Sequence, residues 1–183
     1  MLWRAITGYE GYYEVSTTGR IRSLDRVVID RRDQKRLLRG HEMKLTHNAD
    51  GYMVVNLRKF GESEVVGVHI LVATAFLPNP HNLPMVNHID GVKEHNNIEN
   101  LEWATYSYNN IHALQHKLRK PRSSEIVQLT EDGEIVDVYD SAAEAARCTG
   151  ISSAAILQCV NHRTYSAGGF AWGRLSEGLS TIL

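Results

Sequence analysis

Apolar and polar residues alternate with period two in several short runs, and turn residues separate them. Arg20-Ile21-Arg22-Ser23-Leu24 alternates after the turn signal Thr17-Thr18-Gly19, so residues 1–26 read as a β-hairpin that places Arg20 and Arg22 on one face and Ile21 on the other. Residues 27–44 lack clean periodicity and read as a loop or irregular ribbon. Tyr52–Arg58 is a strand, Gly61-Glu62-Ser63 a turn and Glu64–Val68 the returning strand; His69–Phe76 is a short apolar helix stopped by Pro78-Asn79-Pro80. Met85–His88 and Leu101–Thr105 are strands joined by a long polar turn. A helix follows, capped by Thr105 or Ser107. Residues 125–139 form another hairpin around Glu131-Asp132-Gly133. Ser141 caps a helix through Cys148, with Glu144 completing a capping box. Thr149-Gly150-Ile151-Ser152 turns the chain into a second helix, Ser153 to about Val160, a pairing that suggests a helix-turn-helix. Gly168–Gly173 returns as a strand.

With 183 residues the chain has room for one domain or two small ones, and 43% hydrophobic against 22% charged residues is ordinary for a soluble globular protein. The net charge of −1 argues against a strongly basic nucleic-acid binder. The distribution changes that picture. Residues 1–122 hold 17 Lys/Arg against 13 Asp/Glu, whereas residues 123–183 hold 3 against 8. Nine of the basic residues recur between Arg20 and Lys44. The two cysteines, Cys148 and Cys159, fall outside any CxxC pair and read as buried free thiols, which excludes a disulfide framework and a cysteine zinc site. No secretory signal pattern or membrane-length apolar run occurs, so a cytoplasmic protein is expected.

The chemistry concentrates between Met85 and Ala113. His88 stands at a strand end before Asp90-Gly91, and a neutral imidazole titrates near working pH, so it can take a proton from water. Asn87 and Asn109 offer amide oxygens, hard ligands acceptable to a magnesium-type cation. Asn100 can bridge the long turn through side-chain hydrogen bonds and hold His88 in place. A general base beside a metal ion is what hydrolysis of a phosphodiester needs.

The text from Val86-Asn87-His88-Ile89-Asp90-Gly91, through Asn97-Ile98-Glu99-Asn100-Leu101-Glu102-Trp103-Ala104-Thr105, to Asn109-Asn110-Ile111-His112-Ala113 strongly resembles the HNH nucleases, most of all the homing endonucleases encoded in phage introns. Trp3 to Leu24 is similar to the N-terminal motif of that branch, Val68–Phe76 to the segment preceding its nuclease unit, and residues 125–174 to its C-terminal DNA-binding repeat. The resemblance implies an α+β protein: a ββα-metal (HNH) core, an N-terminal β-hairpin region and a C-terminal helix-turn-helix module in an extended monomer. The expected divisions are a β-rich DNA-contacting region over 1–60, the nuclease domain over 61–118, a basic linker over 119–124 and the C-terminal module over 125–183. His88 corresponds to the general base, Asn100 to the central asparagine that stabilises the loop, and Asn109 to the last metal ligand. Asn87 falls where homing members can carry an aspartate, and the amide removes a negative charge from the metal site. His112, three residues after Asn109, is open between a further ligand, a phosphate contact and a surface histidine.

The implied activity is sequence-specific hydrolysis, as nicking of double-stranded DNA, with one Mg²⁺ or Mn²⁺. Arg20, Arg22, Arg26, Arg31, Arg32, Lys35 and Arg36 are expected to meet phosphates or a major groove, and Lys117, Arg119, Lys120 and Arg122 to cross the backbone. Ser152, Ser153, Gln158 and Arg163 are expected to reach bases or phosphates from around the last helix. Asn87 keeps alive a DNA-binding regulator whose nuclease has decayed. A structural metal module fits poorly, since structural zinc takes four Cys/His ligands.

Overall fold

Alternating apolar residues set the inward face of the strands Tyr13–Ser16 and Ile21–Ser23, where Tyr13, Val15 and Ile21 are buried. The computed structural model describes residues 1–29, 32–116 and 118–177, and these divide into two compact units, 1–104 and 105–183.

In the first unit, β1 (Trp3–Ala5), β2 (Tyr13–Ser16) and β3 (Ile21–Ser23) form an antiparallel meander, with Val15 opposite Ile21 and both fully buried. β4 (Arg26–Ile29) and β5 (Lys35–Leu38) pair as a two-stranded ribbon. Exposure alternates along β4, but the apolar contrast is lost because Val27, Ile29 and Leu37 are on exposed positions and Arg26 is half-buried. β6 (Thr46–His47), β7 (Met53–Lys59) and β8 (Glu62–Gly67) make a second meander. β8 runs directly into α1 (Val68–Phe76), which buries Val68, Leu71, Val72 and Ala73. β9 (Met85–His88) and β10 (Leu101–Ala104) close the unit as an antiparallel pair. One core unites these pieces, drawing Ile6, Val15 and Ile21 from the first meander, Val55 and Leu57 from β7, Val72 from α1 and Leu101 from β10.

The turn before β3 also supports the loop between β9 and β10. Ile98 N–H donates to the Thr17 carbonyl at 2.9 Å. Gly19 has φ +79°, and a Cβ there would lie 2.8 Å from Asn96 Cβ and 3.0 Å from its carbonyl oxygen. Gly19→Ala is therefore expected to destabilise this unit by about 2 kcal/mol, combining the left-handed backbone cost with the collision. Gly8→Ala is the control: φ is +82° but the space beyond is open, so only the backbone cost of about 1 kcal/mol applies. Urea unfolding of both variants separates the two contributions.

In the second unit, Thr105 caps α2 (Tyr106–Gln115) by accepting the Tyr108 N–H at 3.0 Å. β11 (Ile126–Leu129) lies between β12 (Ile135–Tyr139) and a later strand. Half of the expected capping box is present at α3 (Ala142–Thr149): Ser141 Oγ accepts the Glu144 N–H, but Glu144 Oε2 accepts the N–H of Asp140, one residue before the cap. Gly150, at φ +75°, ends α3 and leads into α4 (Ser153–Val160), and β13 (Ala171–Arg174) completes the sheet. Ile111 and Leu114 of α2 pack against Val127, Leu129 and Val138, while Ile126, Ala145, Ile156 and Trp172 form the core under α3 and α4. The expectation of two buried thiols holds for Cys159 only; Cys148 is exposed, because it lies on the outer face of α3. Among the described residues no helix is long and apolar enough to cross a membrane.

Candidate active site

The polar loop after β9 is fastened by its own side chains. Asn100 accepts the Asp90 N–H through Oδ1 at 3.1 Å and donates from Nδ2 to Asp90 Oδ1 and to the His95 carbonyl, each at 2.9 Å. The loop-bridging role expected of Asn100 is thus present in the hydrogen bonds. Asp90 Oδ2 meets His95 Nδ1 at 2.6 Å. Partial desolvation pushes the Asp90 carboxyl up, but hydrogen bonds from His95, the Val92 N–H and Asn100 together outweigh it and hold its pKa near 2.

His88 is 4% exposed and Asn87 5%, on adjacent positions of β9. His88 Nε2 lies 3.1 Å from Asn96 Oδ1, and the rings of His69 and Tyr52 stand 5.2 and 6.0 Å away, centroid to centroid. The Asn96 amide is oriented by the carbonyls of Lys93 and Glu94, which accept from its Nδ2 at 3.3 and 3.0 Å. Its Oδ1 must therefore accept, and His88 must donate from Nε2. That tautomer leaves Nδ1 with the lone pair. Burial pushes the His88 pKa below its ordinary value, against the smaller opposing effect of the Asn96 hydrogen bond, so the ring is neutral at pH 7. A neutral imidazole with a fixed tautomer and an available Nδ1 is a proton acceptor.

Asn87 donates from Nδ2 to Glu102 Oε1 at 2.8 Å, across the β9–β10 pair. This leaves Oδ1 as the amide atom able to meet a cation. Asn109 belongs to the second unit, partly buried in the first turn of α2. The first unit therefore brings together Asn87, His88 and Asn100, and Asn109 is carried separately on the helix that follows β10. His112 is not a surface residue. It is 8% exposed and stacks on His116 at 4.2 Å.

Asn96, His69 and Glu102 were not among the expected site residues. Asn96 is one of two adjacent asparagines in a polar loop, and nothing local says which amide faces His88. His69 and Thr74 are the polar residues of an otherwise apolar helix. His69 Nδ1 is buried and has no hydrogen-bond partner among the described residues, and a Cβ at Gly67 would lie 2.7 Å from the ring's Cε1. Burial and the neighbouring His88 push its pKa down to about 4. A histidine held neutral in this way favours folding above its unfolded value near 6.5 and loses that advantage as pH falls toward 4, because the unfolded chain takes the proton first. Wild-type stability should fall over that window by at most about 3 kcal/mol from this group, and His69→Phe should flatten the decline. Urea midpoints at pH 7.5 and 4.5 measure it.

The cationic residues are placed less uniformly than their sequence suggests. Arg20 is paired with Glu42, and its Nε donates to Glu42 Oε1 at 2.7 Å. Arg22 donates to Glu14 at 2.8 Å and lies over the Trp3 ring at 4.3 Å. Arg26 lies over Tyr12 at 5.0 Å. Arg32, Lys35 and Arg36 are exposed on or beside the ribbon, whereas Arg31 and Lys117 lie outside the described residues. Arg119 does not stand out in a free basic linker. It donates to Glu125 Oε2 at 2.9 Å, and that carboxylate side chain is 2% exposed. Lys120 and Arg122 are exposed, with Arg122 Nη1 3.5 Å from Asp140 Oδ1. In the C-terminal module, Ser152 Oγ is occupied as the cap of α4, accepting the Ala155 N–H at 3.2 Å. Ser153 is partly exposed, and Gln158 and Arg163 are exposed.

Comparison with known proteins adds an independent line. Residues 1–58 match the model of the NUMOD4 motif. Two HNH endonucleases of Acanthamoeba polyphaga mimivirus are 33% identical over 127 residues and 36% identical over 129, covering 69% and 68% of this chain. The chain spans only about a third of each of those relatives, 38% and 32%. The DNA endonuclease I-HmuI of Bacillus phage SP01 is 28% identical over 179 residues, which is 92% of this chain and 95% of that one. A solved structure of DNA binding and cleavage by the HNH homing endonuclease I-HmuI aligns with TM-score 0.53 and 26% identity, over 94% of this chain and 97% of that one.

Proposed function

We propose, from the premise that this chain belongs to the HNH homing endonucleases, that it is a DNA endonuclease hydrolysing a phosphodiester bond of a duplex. The observation that carries the proposal is the hydrogen bond between His88 Nε2 and Asn96 Oδ1, which leaves Nδ1 to accept a proton; burial, which lowers the pKa, favours the neutral ring. His88 Nδ1 takes a proton from water as the water oxygen bonds to phosphorus. The P–O3′ bond breaks and the departing 3′-oxygen takes a proton from solvent water, leaving a 5′-phosphate and a 3′-hydroxyl. Asn100 and Asn96 keep the loop and ring in place throughout.

The residues fit a divalent ion of the hard, oxygen-seeking kind. Asn87 turns an amide oxygen toward such a role, and among the described residues no group of three His, Cys, Asp or Glu competes for a softer metal. Asn87 would hold Mg²⁺ or Mn²⁺ from the first unit, and Asn109, the other ligand that the resemblance implies, is carried by the second. Such an ion would supply stabilisation of the charge that builds on the phosphate and on the departing 3′-oxygen.

DNA contact is assigned to Arg26, Arg32, Lys35 and Arg36 of the β4–β5 region, to Lys120 and Arg122, and to Ser153, Gln158 and Arg163 around α4, read as a helix-turn-helix. Arg20 and Arg22 are ion-paired with Glu42 and Glu14, which offsets part of the charge they could offer a phosphate. The neutral amide of Asn87 favours a second reading, a DNA-binding regulator without cleavage. Supercoiled plasmid and phage DNA incubated with Mn²⁺ or Mg²⁺, and with EDTA, separate the two. The nuclease yields metal-dependent nicks whose ends map to a defined site, and a regulator retards the DNA without nicking it.

A further inference from the structure

Glu102 is used by no step above, yet it touches the residue whose identity is most unusual for the proposed chemistry. It lies directly opposite Asn87 in the β9–β10 register, and its Oε1 accepts the Asn87 Nδ2–H at 2.8 Å. Asn87 is 5% exposed, so its amide is not free to rotate in solvent.

An ionised carboxylate has acceptors only, so it selects which end of an amide it meets. Facing Glu102, the Asn87 amide must present Nδ2–H, and Oδ1 is driven to the opposite side. Without that partner the amide could turn over and offer two N–H groups to a cation, which would repel it. The carboxylate also polarises the amide, adding negative charge to Oδ1, and stands one hydrogen bond behind the ligand oxygen. Asn87 is neutral where an aspartate would carry the charge itself. Glu102 returns that charge to the neighbourhood of the cation.

We propose that Glu102 is a positioning residue of the metal site: it sets the orientation of the Asn87 amide and supplies the negative charge that Asn87 lacks. The inference rests on the active-site reading above, since it needs Asn87 to meet a divalent ion. A rival account makes Glu102 a strand-pairing residue that only holds β9 to β10.

The test uses the full chain. Mn²⁺ is titrated into the protein without DNA, and binding is followed by paramagnetic broadening of the Asn87 side-chain amide signals. In parallel, the Mn²⁺ concentration giving half-maximal plasmid nicking is measured. Glu102→Gln keeps the shape and an acceptor oxygen but removes the charge. Both Mn²⁺ midpoints should rise about 10–100-fold, the usual scale for a residue behind a metal ligand. Circular dichroism should not change. Adding Asn87→Asp to Glu102→Gln should bring the midpoint for nicking back to within a few-fold of wild type, because the charge is restored at the ligand itself. A strand-pairing role predicts no such rescue. If wild type binds Mn²⁺ and nicks DNA while Glu102→Gln leaves both midpoints unmoved, or if Asn87→Asp does not rescue, the role of Glu102 is overturned and the nuclease reading stands. If wild type neither binds Mn²⁺ nor nicks, both are overturned.

Discussion

His88→Ala is expected to lower the rate of DNA nicking by about 10²–10⁴-fold, the scale of a lost general base, while DNA binding is retained. The direction follows from the ring's state. Burial keeps His88 neutral at pH values where an exposed histidine would begin to carry a proton. The nicking rate should therefore hold its plateau below pH 6.5 and fall only at lower pH, as the ring protonates. Single-turnover nicking measured from pH 5 to 8 checks both statements. Asn96→Ala should slow nicking less than His88→Ala, because the base survives but its tautomer is no longer fixed. His88→Ala acting at the full wild-type rate would remove the imidazole from the mechanism.

Arg119→Ala is expected to destabilise the second unit by about 3–5 kcal/mol, far more than its place in a basic segment suggests. Glu125 is 2% exposed and accepts from Arg119 Nη1 and from the Arg122 N–H, each at 2.9 Å. Desolvation pushes this carboxyl up, yet Arg119 and the Arg122 N–H outweigh it and hold its pKa below the usual value. Removing the guanidinium leaves a buried charge with one backbone donor. Lys120→Ala, at an exposed neighbour, should change stability by no more than about 0.5 kcal/mol. Replacing both partners, Arg119→Met with Glu125→Leu, should recover most of the loss, since no charge is then left buried. Urea unfolding of the full chain distinguishes the three. An equal, small effect of Arg119→Ala and Lys120→Ala would mean that the pair contributes little.

Features encoded over a few consecutive residues were legible before any coordinates. The Ser141 cap, the Thr105 cap, the hairpin around Gly133 and the helix ending at Phe76 each depend on neighbours within a turn. The bridging hydrogen bonds of Asn100 were legible for the same reason. What escaped depends on pairings between distant residues. Arg119 looked free because its partner opens the next hairpin, and Arg20 because Glu42 lies 22 residues away. Residues 27–44 read as a loop or irregular ribbon, and the regular β4–β5 pairing within them is hidden because Val27, Ile29 and Leu37 are exposed. Glu102 could have been found by aligning β10 against β9, but that register is set by packing and not by any local pattern.

The close approach of Gly19 to Asn96 bears on how such a chain can be rearranged by recombination. The backbone of one short segment is the wall against which the other's side chain rests, so the two have to diverge in step. A chimaera that took residues 1–58 from a cousin with a bulkier amino acid at position 19 would inherit a defect felt 77 positions away, at the amide that steadies His88. Grafts that exchange both stretches together should tolerate shuffling that either alone would not.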